Sequence, residues 1–394
     1  MRTVTEHARV IADLLVPTPV EATTLTESLG LVLGEDLRAP LDLPPFANSA
    51  MDGYAVRAAD VAALPATLPV SQDIPAGRTD VGPLTPGTAA RIMTGAPLPP
   101  GAEVIVPVER TDGGADRVRI DSAPAPGIHI RTIGEDVHRG DVVLPAGTVI
   151  GAAQIGVAAA LGYADLPVRR PLRVLVLSTG TELVAPGRPL APGQIYESNA
   201  PMLAAAFTAI GARATIEHFV VDEVAALRAG LDRAAAGTDL IVTSGGVSAG
   251  AYEVVKDALT GQGVEFAKVA MQPGMPQGAG RYGDIPVVTL PGNPVSSYVS
   301  FEVFLRPAAR AAMGHPDITR PTVTAPPSAP LDPPAGKRQF RRGHLNAVEG
   351  TVAAWGGPGS HLLAWLAGAD CMLVIPEDVT HLDAGDPVEA WLLG

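Results

Sequence analysis

The chain has 394 residues, 47% of them hydrophobic and 18% charged, a packed composition too long for one ordinary core, so roughly two to four domains are expected. Its formal charge of −13 argues against nucleic acid and anionic membrane surfaces as partners, since both need clustered positive charge. A single cysteine, Cys371, excludes an internal disulfide framework, a cysteine-rich zinc site and an iron–sulfur cluster held by one chain.

Residues 1–40 carry helical periodicity, with Val10, Ile11, Leu14 and Leu15 on one face, and Thr24 followed by Glu27 offers a capping box for a short second helix ending near Gly30. The opening residues read as the polar start of an amphipathic helix rather than a secretory leader, and a cytoplasmic location is expected. From 41 to 138 the pattern changes to short strands between Pro and Gly, among them 88–93 and 103–108. Helical character returns at 152–162, and the run 150–166, rich in Ala and Gly, reads as a packed helix and not a membrane span. These segments predict a discontinuous helical platform, 1–40 and 139–170, with a β-rich domain, 41–138, inserted into it.

Within the β-rich domain, Pro45-Phe46-Ala47-Asn48-Ser49-Ala50-Met51-Asp52-Gly53-Tyr54-Ala55-Val56 holds one carboxylate in a polar turn between apolar segments. Pro44 and Pro45 stiffen the approach, Asn48 and Ser49 favour side-chain-to-backbone turns, and Gly53 permits unusual backbone geometry. Asp52 is therefore free to hold a metal or orient a phosphate, although Asp is also an ordinary turn residue.

From 171 to 315 apolar runs alternate with helices: 173–177, 198–210, 214–220, 223–236, 240–243, 252–259, 264–271, 286–290 and a long helix at 294–313. This is a three-layer α/β domain with a mostly parallel sheet, whose ligands gather at the carboxyl ends of the strands. Those ends read Ser178-Thr179-Gly180-Thr181-Glu182, Val221-Asp222-Glu223, Ser244-Gly245-Gly246-Val247-Ser248 and Pro291-Gly292-Asn293-Pro294. A Pro-rich linker, 321–334, opens a C-terminal β-barrel-like domain, 316–394, with strands at 371–375 and 387–392.

The loop from Gly245 to Gly250 follows a strand and precedes a helix, so its backbone N–H groups suit phosphate, though a tight turn needs the same glycines. That loop carries neither Gly-x-Gly-x-x-Gly nor a Walker element, which weakens dinucleotide binding and ordinary nucleotide hydrolysis there. The same loop formally contains Gly-x-Ser-x-Gly, so a serine hydrolase using Ser248, with Asp284 and His315 or His344, is a competing reading. Asp52, Asp136, Glu182, Asp222 and Glu253 occupy turn or strand-end settings, where hard carboxylates suit Mg²⁺ bound with substrate phosphate, or else cap helices and turns. Lys268 and Lys337-Arg338-Gln339-Phe340-Arg341-Arg342 are the local sources of positive charge.

Together these segments, with Arg91-Ile92-Met93-Thr94-Gly95-Ala96 and Gly134-Glu135-Asp136-Val137, resemble the molybdopterin molybdenumtransferase family, bacterial MoeA-type proteins and the E domain of gephyrin, over nearly the whole chain. The resemblance implies a homodimer of four-domain subunits, with sites shared between subunits, acting on adenylylated molybdopterin and molybdate, with Mg²⁺-assisted release of AMP. It further implies exchange with a molybdopterin adenylyltransferase and with molybdoenzyme-maturation partners. By position it implies catalytic roles for Asp52, Asp136, Glu182, Asp222 and Lys268, with Asp52, Asp136, Glu182 and Glu253 as metal ligands. Substrate contacts would come from Thr94, Ser178, Thr179, Gly180, Gly245, Gly246, Ser248, Pro291, Asn293, Pro294 and Ser360, with Arg338 or Arg341 assisting anion binding. The chain departs from the family pattern with Glu253 in place of Asp and with Gln272 and Met275 where Lys is usual, which reduces local positive charge. A non-catalytic scaffold or carrier of the same fold is therefore the alternative.

Overall fold

The computed structural model describes residues 1–219, 224–234, 237–245 and 254–393. The chain divides into two compact units, one of Met1–Thr23, Glu27–Gly34 and Leu166–Gly394, the other of Thr24–Thr26 and Glu35–Asp165.

In the first unit, the strands Arg173–Thr179, Arg213–Phe219, Leu240–Ser244 and Ile285–Leu290 run parallel, with Arg173–Thr179 paired to both Arg213–Phe219 and Leu240–Ser244. Alternation along them feeds two cores. Val174, Val176, Leu240, Val242 and Val288 pack with Leu203, Phe207, Phe301 and Phe304 on one face. Leu175, Leu177, Ile241 and Val287 pack with Leu227, Leu231, Val255 and Leu259 on the other. Each large side chain so buried contributes about 1.5–3 kcal/mol, which fixes the register because a one-residue slip would exchange the two faces.

The strand Pro276–Tyr282 carries no readable hydrophobic alternation, yet it lies antiparallel between Ile285–Leu290 and Val264–Lys268. Its glycines are the reason: a Cβ on Gly278 would lie 2.1 Å from Thr289 Oγ1 and one on Gly280 2.0 Å from the Gly263 carbonyl oxygen. The apolar run expected at 264–271 is split, because Met271–Gln272 leaves this sheet and pairs in parallel with Arg338–Asn346. The long helix expected at 294–313 is continuous, as Pro294–Ser300, a π-helical turn Phe301–Leu305 and Arg306–Ala312. Pro307 lacks the N–H that would close on Val303, and the widened turn before it absorbs that loss.

The C-terminal sheet runs Met271–Gln272, Arg338–Asn346, Cys371–Ile375, Val388–Leu392, Thr322–Ala325, with Thr351–Ala354 paired to the far end of Arg338–Asn346, from Gly343 to Asn346. It curls back on itself: Ser328 N donates to Val352 O at 2.8 Å and Val352 N to Pro326 O at 2.9 Å.

The N-terminal segment departs from the expected helical platform. One helix, Val4–Leu14, buries Val4, His7 and Ile11, but Val20–Thr24 and Val32–Leu33 are strands flanking Asp165–Arg169. Thr24 ends a strand and residues 25–30 are turns, so the capping-box pattern there starts no helix. Strand pairing of a β-branched segment outweighs a local cap signal.

The second unit contains a five-stranded sheet ordered Val104–Pro107, Gly53–Val56, Ala89–Ile92, Ala66–Ile74, Arg117–Ile120 around a core of Tyr54, Val56, Val104, Val106 and Ile120. The flanking strands Leu37–Arg38 and Val142–Leu144 pair with each other, and Ala152–Ala160 is the helix expected near 152–162. Among the described residues no helix is long and apolar enough to cross a membrane.

Candidate functional site

Register gathers the expected pocket residues of the first unit. Ser178 lies beside Ser244, and Ser244 beside Leu290, so the segments that follow these strands emerge along one edge of the sheet. Small polar groups lock that edge. Asn199 Nδ2 donates to Ser244 Oγ and to Gly292 O, both at 2.7 Å, while Ser297 Oγ donates to Pro291 O. Gly245, at φ +94°, takes a conformation that L side chains rarely adopt, and its N–H donates to Leu290 O at 3.1 Å. At Gly180 a Cβ would stand 2.6 Å from a Glu182 carboxylate oxygen, so the acid folds back over the glycine and remains exposed.

Beyond this edge opens a cavity of about 500 Å³, walled by the stretch from Met271 to Pro276, by Pro291, Gly292, Asn293 and Ser296, and by Lys337, Pro358, Gly359 and Ser360. Ser360 is tied to the helix that follows Asn293: Asn293 Nδ2 donates to Ser360 Oγ at 2.8 Å, and Val295 N to Ser360 O at 3.0 Å. Arg342 holds the loop from beneath, its guanidinium donating to the carbonyls of Gly357, Gly359 and Leu362. Sequence reading did not single out Arg342 within its basic run. The only available signal was strand alternation, which turns Arg342 to the opposite face from Arg341.

The cations expected at the anion site are placed otherwise. Arg338 forms an ion pair with Glu377, through contacts of 3.0 and 3.3 Å. Arg341 Nη2 donates to Gly356 O at 3.4 Å, and burial lowers its pKa. Lys268 is exposed at the end of Val264–Lys268 and is not part of the cavity wall. Lys337, their neighbour in sequence, does line it. Gln272 and Met275 also lie in the wall, with Gln272 Oε1 accepting from Gln339 Nε2 at 2.6 Å. Asp222, Gly246, Ser248 and Glu253 lie outside the described residues.

The register also bears on the hydrolase alternative. Asp284 immediately precedes Ile285–Leu290, whereas Gly245, three residues before Ser248, follows Ser244 beside the far end of that strand. Six strand residues separate Asp284 from Gly245 by about 20 Å, while Ser248 itself lies outside the described residues.

The second unit builds its own polar corner. Ser49 Oγ donates to Met51 O at 2.6 Å and its backbone N–H to Ala96 O at 3.1 Å, which fixes the turn before Asp52. Gly53 then enters a strand so close to its neighbour that a Cβ would sit 2.1 Å from Val106 O. Asp52 is thus placed opposite Thr94, whose N–H and Oγ1 both donate to Asp52 Oδ1, at 2.6 and 2.8 Å. The backbone hydrogen bond and then the hydroxyl lower the pKa of this exposed carboxyl, so it is ionised at neutral pH. Asp136 is exposed on a separate turn, its N–H donating to Leu43 O at 2.9 Å.

Among the described residues no three His, Cys, Asp or Glu side chains come together as a metal site. The carboxylates of Asp52, Asp136 and Glu182 are nevertheless the hard, oxygen-only donors that Mg²⁺ takes singly or in pairs when phosphate and water complete its shell.

An α/β sheet with a cavity at its strand ends, joined to a β-rich C-terminal region, defines a multidomain protein of mixed α/β class. Residues 2–162 match the MoeA N-terminal region (domain I and II), residues 175–311 the probable molybdopterin binding domain, and residues 324–393 the MoeA C-terminal region (domain IV). The chain is 56% identical over 402 residues to molybdopterin molybdenumtransferase 2 of Mycobacterium tuberculosis, covering 99% of both proteins. It is 36% identical to molybdopterin molybdenumtransferase 1 of the same organism, over 100% of this chain and 99% of that protein. Among solved structures it is similar to the molybdopterin biosynthesis MoeA protein of Pyrococcus horikosii, with TM-score 0.84 and 29% identity, covering 100% and 99% of the two chains. The chain belongs to the MoeA family of molybdopterin molybdenumtransferases.

Proposed function

We propose that this protein is a molybdopterin molybdenumtransferase that inserts molybdate into adenylylated molybdopterin and releases AMP in molybdenum cofactor biosynthesis. The observation that carries this reading is the cavity at the carboxyl edge of the parallel strands, in a chain similar from end to end to proteins of that name. Neutral donors on the wall, from Gln272, Asn293, Ser296 and Ser360, orient an oxyanion by hydrogen bonds, and the Pro and Met residues exclude water around it. Asp52, kept ionised by Thr94, is a fixed negative oxygen suited to metal or to a water proton.

Asp52, Asp136, Glu182 and Glu253 are the candidate Mg²⁺ ligands, and the ion would neutralise phosphoanhydride charge when bound. The same reading divides the chain into four functional parts, makes the protein a homodimer and places the reaction in the cytoplasm. It is tested by incubating purified protein with adenylylated molybdopterin, molybdate and Mg²⁺ while measuring AMP and cofactor. Molybdate-dependent formation of both is expected; tight pterin binding without turnover would mark a carrier instead.

A further inference from the structure

Among the described residues that line the cavity in the first unit, Lys337 is the single ionisable one. The neighbouring guanidinium groups are committed elsewhere: Arg338 to the Glu377 carboxylate, Arg341 to the Gly356 carbonyl, and Arg342 to the carbonyls of the loop that carries Ser360. The remaining polarity is neutral. Gln339 donates to Gln272 Oε1 and so leaves the Gln272 amide nitrogen as the free donor end, while Ser296, 4% exposed, and Ser360 present hydroxyls.

Resting on the reading above, we propose that Lys337 is the specificity-determining contact of this cavity, selecting a compact tetrahedral oxyanion and leaving the nucleotide's diphosphate to be held elsewhere. One ammonium among neutral donors matches an anion whose charge is concentrated within one tetrahedron. A diphosphate spreads its charge over two phosphoryl groups and needs several cations or a metal to match it. Lys is suited to the task as a point charge with three rotatable donors, where Arg imposes a planar fork.

The test is calorimetric titration of full-length wild-type, Lys337→Met and Lys337→Arg proteins with molybdate, and separately with pyrophosphate. Loss of one charge-assisted contact should weaken molybdate binding roughly tenfold or more in Lys337→Met. Lys337→Arg should retain most of the affinity, and pyrophosphate binding should be the same in all three proteins. Unchanged molybdate binding in Lys337→Met, absence of binding in the wild type, or pyrophosphate binding that falls with Lys337 would each overturn the proposal. A second readout separates it from the transferase reading. If wild type makes cofactor and Lys337→Met does so with an unaltered molybdate KM, the role of Lys337 fails while the activity stands. If no protein makes cofactor, the activity fails and the titrations still decide the role of Lys337.

Discussion

Asp52 and Thr94 lie far apart in sequence and meet through two hydrogen bonds on one carboxylate oxygen. The Asp52 carboxyl has its pKa lowered in the folded protein, so its contribution is present above the ordinary carboxylate value and is lost as pH falls through the folded value. Replacing Thr94 by Val removes the hydroxyl and keeps the backbone N–H, and the Asp52 pKa should rise part of the way toward normal. Carboxyl-carbon NMR titration of both proteins reads this directly; an unmoved titration would deny the hydroxyl its role.

A second titration belongs to His7, fully buried, its ring 4.9 Å from that of Phe304, and its pKa pushed down to about 4 by burial, with Arg2 adding to the effect. Below 6.5 the unfolded chain takes up a proton that the folded protein refuses, so stability falls until about pH 4 and then levels. The loss is up to roughly 3 kcal/mol for such a site, and denaturation midpoints measured across this window should vary less in His7→Phe. An identical slope in the two proteins would contradict the assignment. Of these residues Asp52 was legible beforehand, because Pro, Asn, Ser and Gly around it spelled a turn. Lys337 was named only as one member of a basic run, because neighbouring charges look alike until the fold assigns each a partner.

At the level of elements, local signals succeed where tertiary pairing agrees with them. The same Thr-x-x-Glu pattern occurs at Thr3 and at Thr24. At the first, Glu6 N donates to Thr3 Oγ1 and Thr3 N to Glu6 Oε2, and a helix follows. At the second, the segment is drawn into a strand, which no local rule foretells. The parallel strands were read from apolar runs bounded by Gly and Ser, whereas Pro276–Tyr282 was invisible because its glycines serve close packing and leave no pattern.

The long helix binds the C-terminal region through one buried ion pair. Glu302 accepts from Arg320 Nε at 3.0 Å and Nη2 at 2.8 Å, with its side chain fully buried, and Arg320 also donates to Leu393 O. Arg320→Met leaves that carboxylate with the Tyr298 hydroxyl and with Arg306, at 3.9 Å, and should cost roughly 3 kcal/mol in chemical denaturation. The double variant with Glu302→Gln should recover much of the loss; equal destabilisation in both would show that packing, and not charge, is what Arg320 supplies.

For the molecule as a whole, an acidic chain must place positive charge locally to meet an anion, and among the described residues that line the cavity of the first unit Lys337 is the one that carries it. The α/β and β-rich organisation was legible from the change in hydrophobic period along the chain, and the family from motifs spread over its length. The partners of each motif were not legible, since register, and not spacing, decides which strand ends share an edge.

The most direct test compares wild type with Asp52→Asn for AMP release and cofactor formation from adenylylated molybdopterin, Mg²⁺ and molybdate. Asn keeps the shape of the side chain and removes its charge, so turnover should fall at least about 100-fold if that carboxylate serves the reaction. Asp52→Asn turning over at the wild-type rate would contradict the account.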